Sequence, residues 1–290
     1  MSAQSGVAEG PTYSLILCTL GRTQEPERFL ESLAAQTYRR FELIVVDQND
    51  DDRVAGVLAR VRLDRPVLHL RTRPGLSHAR NQALPRVRGE IVAFPDDDCW
   101  YAPGLLDQVR QVFGTDSALD GITGMAVDRQ GRPSTSRWSR RPGPLTKYNC
   151  WWRAVSFTLF IRQRVVQRVG GFDETLGVGA QSPWGSSEEM DYILRALDAG
   201  CRIVYCPSLV VGHAHPVDRL DDKAIARAYR YGMGVGRVLR MRRLPMWFCL
   251  FMAARPAAGV PLSLLRGHRD DARYHWASLR GRVRGLWADQ

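Results

Sequence analysis

The first hundred residues alternate short β-rich apolar runs with helical patterns, and this order restricts the fold more than any other feature. We predict strands at 13–18, 41–46, 67–70 and 90–94, separated by helices at 29–34, 54–61 and 77–84. Alternation of this kind builds a parallel sheet covered by helices. Such sheets bind ligands at the carboxyl ends of their strands, so the acids that follow the predicted strands are candidate site residues.

The rest of the chain continues the α/β pattern less regularly, to about residue 216. The predicted elements are a helix at 103–113, a strand at 122–127, a polar loop at 128–149, a strand at 157–161, helices at 164–169 and 190–199, and a strand at 202–206. We therefore predict three parts, namely a flexible N-terminus at 1–11, an α/β domain at 12–216 and a basic helical tail at 217–290.

The formal net charge of +11 lies in the residues from Lys223 onward, and the preceding body is neutral. Within this tail, residues 244–265 are mostly apolar, but Arg255 and Pro256 interrupt them. A bilayer span needs about 20 apolar residues, so an interfacial or re-entrant segment fits better. Because Trp and Arg flank the segment, we expect a peripheral contact with an anionic membrane surface. A solvated Arg-rich helix remains the alternative.

The first ten residues are polar and contain no apolar core of an export signal. We therefore expect a cytoplasmic protein, attached peripherally at the inner face of the cell membrane. The six cysteines have no paired spacing, which favours neither a disulfide framework nor a zinc site. A basic nucleic-acid-binding protein is a further alternative, but its charge would lie near aromatic residues of the body. The neutral body favours no nucleic-acid partner.

Three motifs carry candidate chemistry. PDDDCWY at 95–101 places three carboxylates after a predicted buried strand, where Mg²⁺ or Mn²⁺ would relieve their repulsion; a solvated acidic turn is the alternative. SSEEMDYILRAL at 186–197 gathers acids at a helix N-terminus, where they either cap the helix or accept a proton from a nucleophile. VVGHAHP at 210–216 places His213 and His215 after a strand, as ligands or as structural residues.

In this order the motifs resemble those of the family 2 inverting glycosyltransferases with the GT-A fold, from about residue 12 to residue 216. The matching segments are LILCTLGR, QTYRRFELIVVDQNDD, RPGLSHARNQAL, FPDDDCWY, and GGFDETLG followed by SEEMDYILRAL. The resemblance implies a mainly parallel sheet flanked by helices, a nucleoside-diphosphate sugar as donor, and Mg²⁺ or Mn²⁺ as cofactor. We expect the basic tail to follow this domain as amphipathic helices.

The resemblance also implies roles for individual residues. The residues that match the family's contacts with the nucleotide-sugar donor are Thr19, Asp47, Arg80, Asp96 and Asp97. The metal site falls on Asp98, with Asp96 and His213 beside it. The position where the family keeps its catalytic base, usually Asp, holds Glu189, and this departure leaves Glu188 and Asp191 as rival bases. Trp184 precedes these acids and either offers an apolar face to an acceptor sugar or packs within its loop.

The activity implied is the transfer of a sugar in one step with inversion at the anomeric carbon. The Q-x-x-R-W motif of processive members does not occur, which favours addition of a single sugar. The apolar basic tail suits a saccharide or polyprenyl-linked acceptor in cell-envelope or polysaccharide biosynthesis. A nucleotidyltransferase with a similar sheet is the enzymatic alternative, although it would not need the second acid cluster.

Overall fold

The computed structural model describes residues 12–134, 138–214 and 220–288. The predictions for the flexible segment 1–11, for a boundary near Pro216 and for His215 lie outside these residues. The described strands are β1 (Tyr13–Thr19), β2 (Phe41–Asp47), β3 (Val67–Arg71), β4 (Ile91–Ala93), β5 (Cys99–Tyr101), β6 (Gly121–Val127), β7 (Gly143–Pro144), β8 (Leu159–Arg162) and β9 (Ile203–His213). The described α-helices are α1 (Gln24–Ala34), α2 (Arg53–Arg60), α3 (Leu76–Ala83), α4 (Leu105–Thr115), α5 (Gln163–Val169), α6 (Glu188–Asp198), α7 (Asp222–Met241), α8 (Met246–Leu265) and α9 (Arg269–Trp287).

The strands form one sheet in the order β3-β2-β1-β4-β8-β6-β9-β5, and β7 pairs with β9 beside this path. The first four strands of this order are parallel to one another. β8 then runs antiparallel between β4 and β6, and β6 and β9 are again parallel. The predicted α/β class is confirmed, while the second half of the sheet mixes both directions.

Burial explains why the apolar runs form the sheet. All seven residues of β1 are buried, as expected of a strand covered by helices on both faces. On one face α1 contributes Phe29, Leu30 and Leu33, whose spacing places them on one side of the helix. Complete burial of each such side chain contributes about 1.5–3 kcal/mol. The parallel strands are thereby fixed, and their carboxyl ends lie at one edge.

Three strands differ from the sequence prediction, and one of them, β7, lies within the predicted polar loop at 128–149. β5 follows the three aspartates directly and pairs antiparallel with the end of β9. β9 is therefore longer than the predicted 202–206, because its second half is held by β5 on one side and β6 on the other. In this register Cys99 lies opposite His213, which brings the histidine to the acidic turn.

The C-terminal helices α7 and α9 pack with their backbones in close approach. Four glycines line this contact: Gly232, Gly236, Gly281 and Gly285. A methyl group on any of them would collide with a backbone carbonyl of the other helix. The two helices therefore form one tightly fitted pair, and α8 packs against α9.

Helix α8 is continuous through Pro256 and Pro261, although the sequence suggested an interrupted segment. By length and composition alone it is the one described helix that is able to cross a membrane. Its inner face packs through Phe248 and Met252. Its outer face leaves large apolar side chains exposed: Met246, Trp247, Leu250, Phe251, Leu262, Leu264 and Leu265. Only 28% of its most apolar stretch is buried within the protein.

Candidate active site

The acidic turn between β4 and β5 is held by basic and hydroxyl side chains from other elements. Thr19, at the end of β1, donates a hydrogen bond to Asp97 Oδ2 at 2.7 Å. Arg22 Nη1 lies 2.6 Å from Asp97 Oδ1 and 2.7 Å from Asp98 Oδ2. His213 Nε2 lies 3.1 Å from Asp98 Oδ1. The three crowded carboxylates are therefore partly neutralised by the protein itself.

Asp96, Asp98 and His213 form a group that can hold a divalent cation. One ligand atom from each lies within 4.8 Å of the others, and all three residues are half-buried. Two carboxylates with one imidazole suit Mn²⁺, and Mg²⁺ would rely mainly on the oxygens. The ring of His213 stacks on Phe157 with centroids 4.6 Å apart, which fixes its orientation. The residues therefore fit the predicted cofactor.

The surroundings of the turn shift the pKa values of its acids in different directions. Withdrawal from water raises the pKa of Asp96 to about 6, against the opposing charge of Arg80. Partial burial alone would also raise the pKa of Asp98, but His213 and Arg22 together lower it to about 2. The pKa of His213 is raised by Asp98 despite its own burial. Asp98 is thus the carboxylate that carries its charge most firmly, as a metal ligand requires.

The end of β2 provides the next part of the site. Asp47 is fully buried and accepts hydrogen bonds from the backbone and side-chain amides of Asn49 at 2.9 and 2.7 Å. His69 Nε2 lies 3.0 Å from its other oxygen. Thr19 and Asp47 are partners in the β1–β2 register, so the two residues predicted to contact the nucleotide-sugar donor lie side by side. Their proposed contacts with a nucleotide remain predictions.

Arg80 joins the acidic turn to the second acid cluster. Its guanidinium lies 3.5 Å from Asp96 Oδ1 and 3.2 Å from Glu188 Oε1. It also packs 5.2 Å from the centre of the Phe172 ring, and its side chain is only 2% exposed. Sequence resemblance places Arg80 beside a diphosphate. In the structure it is a buried bridge between two carboxylates, and any diphosphate contact stays a prediction.

The three candidate bases at the start of α6 have different surroundings. Both oxygens of Asp191 are taken, by Arg195 at 2.9 Å and by Arg242 at 2.6 Å, and its side chain is fully buried. Glu188 is buried and pairs with Arg80. Glu189 is half-buried and has no ion pair with a described residue. Withdrawal from water and the charge of Glu188 raise the pKa of Glu189 to about 8.

Trp184 packs within the loop before α6. Its indole is buried, and the Arg237 guanidinium lies 4.2 Å from the centre of its ring. A sugar would therefore reach this ring only after side chains had moved. Its contact with an acceptor stays a prediction, and the geometry agrees better with the packing alternative.

Two arginines contact the acids of the site although the sequence prediction gave them no role there; it grouped Arg242 with the tail arginines expected to meet an anionic membrane surface. Arg22 lies in the quoted segment LILCTLGR, so the segment marked its place but not its partners. Together with Arg28, Arg129 and Glu25 it lines a cleft of about 670 Å³ beside Asp98. Arg242 follows α7 and reaches Asp191 across 51 residues of sequence. No local pattern distinguishes it from the other arginines of the tail.

The sheet order and the acidic turn with its histidine are those of a nucleotide-sugar transferase of the GT-A class. Residues 14–168 match the model of the family described as Glycosyl transferase family 2. This match covers more than half of the chain. The protein belongs to glycosyl transferase family 2, as the sequence motifs predicted.

Curated relatives agree with this assignment. The chain is 26% identical over 245 residues to glycosyltransferase AglE of Haloferax volcanii, covering 81% of this chain and 77% of the relative. It is 29% identical over 105 residues to the GalNAc(5)-diNAcBac-PP-undecaprenol beta-1,3-glucosyltransferase of Campylobacter jejuni, covering 35% of this chain and 34% of that enzyme. The relative from Campylobacter thus shares only about a third of its length with this chain.

Solved structures share the fold at low sequence identity. The mannosyltransferase PcManGT of Pyrobaculum calidifontis, solved in complex with GDP-Man and Mn²⁺, has a TM-score of 0.65 at 18% identity, covering 97% of this chain and 88% of that chain. TarS 1–349 of S. aureus has a TM-score of 0.62 at 16% identity, covering 94% of this chain and 91% of that chain. These similarities establish the GT-A fold of the chain.

Proposed function

We propose that this glycosyltransferase uses Mg²⁺ or Mn²⁺ to transfer a single sugar, with inversion, from a nucleoside-diphosphate sugar to a hydroxyl group. The acceptor we propose is a saccharide or lipid-linked saccharide of cell-envelope or polysaccharide biosynthesis. PcManGT was solved with GDP-Man, and TarS 1–349 with UDP-GlcNAc, so related folds bind donors of this class. The relative from Campylobacter is named for an undecaprenol-linked acceptor.

The observation that carries the proposal is the bridge made by Arg80. One guanidinium contacts Asp96 of the acidic turn and Glu188, the neighbour of Glu189. A one-step displacement needs a leaving-group site and a base on opposite sides of the reacting carbon. The bridge keeps the two acid clusters adjacent, which supports a role for one as the leaving-group site and for the other as the source of the base.

In this proposal Glu189 is the base. Its half-buried carboxylate accepts the proton of the acceptor hydroxyl as that oxygen attacks the anomeric carbon. Asp96, Asp98 and His213 would hold the cation. When bound, the cation neutralises charge that develops on the leaving diphosphate. Asp191 positions α6 through its two arginines and takes no part in proton transfer.

We further propose that the outer face of α8 rests on the inner surface of the cell membrane. Its exposed apolar residues lie beside arginines at both ends, such as Arg243 and Arg266, and the net charge of +11 lies in the same part of the chain. Cations near an anionic bilayer contribute about 1 kcal/mol each. This contact would bring the active site to lipid-linked acceptors.

The test of the activity is product analysis with the full chain. The protein is incubated with a panel of UDP-, GDP- and dTDP-sugars, with Mn²⁺ or EDTA, and with octyl glycosides as acceptors. We expect mass spectrometry to find one added sugar, only when the metal is present, and NMR to find an inverted anomeric configuration. Retention of configuration, or equal transfer in EDTA, would contradict the proposal.

A further inference from the structure

Helix α7 packs directly against the loop that precedes the acid cluster of α6. The backbone amide of Gly185 donates to the carbonyl of Arg230 at 3.3 Å, and Ser186 Oγ donates to the carbonyl of Tyr231 at 2.9 Å. A Cβ atom on Gly234 would collide with the backbone carbonyl of Ser186. Ser187 then adopts a left-handed conformation, with φ at 72°, directly before α6. Tyr231 is therefore anchored next to the segment that ends in Glu189.

Tyr231 lies on the part of α7 that contacts this loop. It is 40% exposed, and its hydroxyl has no hydrogen-bond partner among the described residues. The phenol lies within the electrostatic field of Glu188, Glu189 and Asp96. Burial raises the pKa of Tyr231 against the opposing charge of nearby Arg227, and the three carboxylates raise it further, so the hydroxyl stays protonated and able to donate.

The neighbouring aromatic side chains already pack against other parts of the protein. Trp184 is buried under Arg237, and Tyr192 is fully buried in α6. Tyr229, two residues before Tyr231 on α7, is partly buried and lies under Arg280 of α9. Among these rings, only that of Tyr231 combines exposure with proximity to both acid clusters.

We propose that Tyr231 is an acceptor-binding residue, with its ring packed on the apolar face of the acceptor sugar and its hydroxyl donating to a sugar oxygen. A tyrosine offers both contacts because it joins a large apolar ring to a polar end. The proposal rests on the proposed transferase function and assigns the C-terminal helices a part in acceptor recognition. The class of ligand is a neutral pyranose ring that presents its hydroxyl to Glu189.

The test uses the full chain with Tyr231→Ala, Tyr231→Phe and the matched control Tyr229→Phe. Two rates are measured for each protein with the same donor and Mn²⁺: transfer to octyl glycosides and hydrolysis of the donor by water. For Tyr231→Ala we expect a rise of at least tenfold in the KM for acceptor. The KM for donor and the rate of hydrolysis should stay within twofold of wild type. The KM for acceptor of Tyr231→Phe should lie between those of wild type and Tyr231→Ala, and the KM for acceptor of Tyr229→Phe should match that of wild type.

Each outcome has a distinct meaning. An unchanged acceptor KM in Tyr231→Ala would overturn the proposal. Equal losses in transfer and hydrolysis would also overturn it, because they would indicate a structural role; thermal unfolding of the variants checks this independently. If wild-type protein neither bound nor consumed any nucleotide sugar, the proposed transferase function itself would fail. Donor turnover in wild type with no effect of Tyr231→Ala would refute only the role of Tyr231.

Discussion

The raised pKa of Glu189 makes a quantitative prediction about the pH dependence of transfer. A base acts when deprotonated, so a carboxyl with a pKa of about 8 is mostly inactive at neutral pH. From this value about a tenth of the free enzyme carries the active form at pH 7, half at pH 8 and about nine-tenths at pH 9. We therefore expect kcat/KM to rise roughly tenfold between pH 7 and pH 9, measured with saturating Mn²⁺ and a fixed donor.

Two variants separate Glu189 from its neighbour. Glu189→Gln should lower the transfer rate by about 10²-fold to 10⁴-fold and remove the rise with pH, while leaving donor affinity unchanged. Glu188→Gln removes a negative charge that raises the pKa of Glu189, so the rise should move to lower pH. A flat profile in wild type between pH 7 and pH 9 would refute this reasoning. So would Glu189→Gln protein with near-normal transfer.

Three further predictions concern the metal, the fold and the membrane. Asp98→Ala should abolish the dependence of nucleoside-diphosphate affinity on Mn²⁺ in calorimetry; equal affinity of wild type with and without Mn²⁺ would refute the metal assignment. Arg242→Gln should lower the free energy of unfolding by about 2–3 kcal/mol. This loss is smaller than the usual cost of breaking a buried ion pair, because Arg195 still contacts Asp191. The control Arg269→Gln, at an exposed position, should change the free energy of unfolding by less than about 0.5 kcal/mol. Wild type should sediment with anionic vesicles and be only partly released by 1 M salt, where the Debye length is about 3 Å, because apolar side chains are inserted. Trp247→Ser should increase that release, and the exposed body variant Val178→Ser should not.

The order of most strands and helices is predictable because each of them leaves a local signal in the sequence. β1 and β2 are continuous apolar runs, and α6 repeats its apolar residues on one face. β5 left no such signal, since three residues beside acids contain no period to read. The length of β9 was missed for the same reason, as its second half depends on pairing with β5.

The candidate site was predicted in its residue types but not in its pairing. The motifs located the acids, and the β5–β9 register then explains why His213 meets Asp98 although 115 residues separate them in the sequence. Which arginine meets which acid depends on tertiary packing. Arg22 and Arg242 each look like any other arginine in the sequence, and only the folded chain selects their partners.

The fit of α7 against the loop before α6 limits how enzymes of this kind can be recombined. The loop contacts α7 through the backbone amide of Gly185 and the hydroxyl of Ser186, and α7 in turn meets α9 through glycines that tolerate no added methyl group. A hybrid that borrows the acceptor preference of this chain should therefore receive residues 184–288 as one block. A junction between residues 214 and 220 would instead press a foreign helix against Ser186, and such hybrids should lose transfer even when every donor contact is retained.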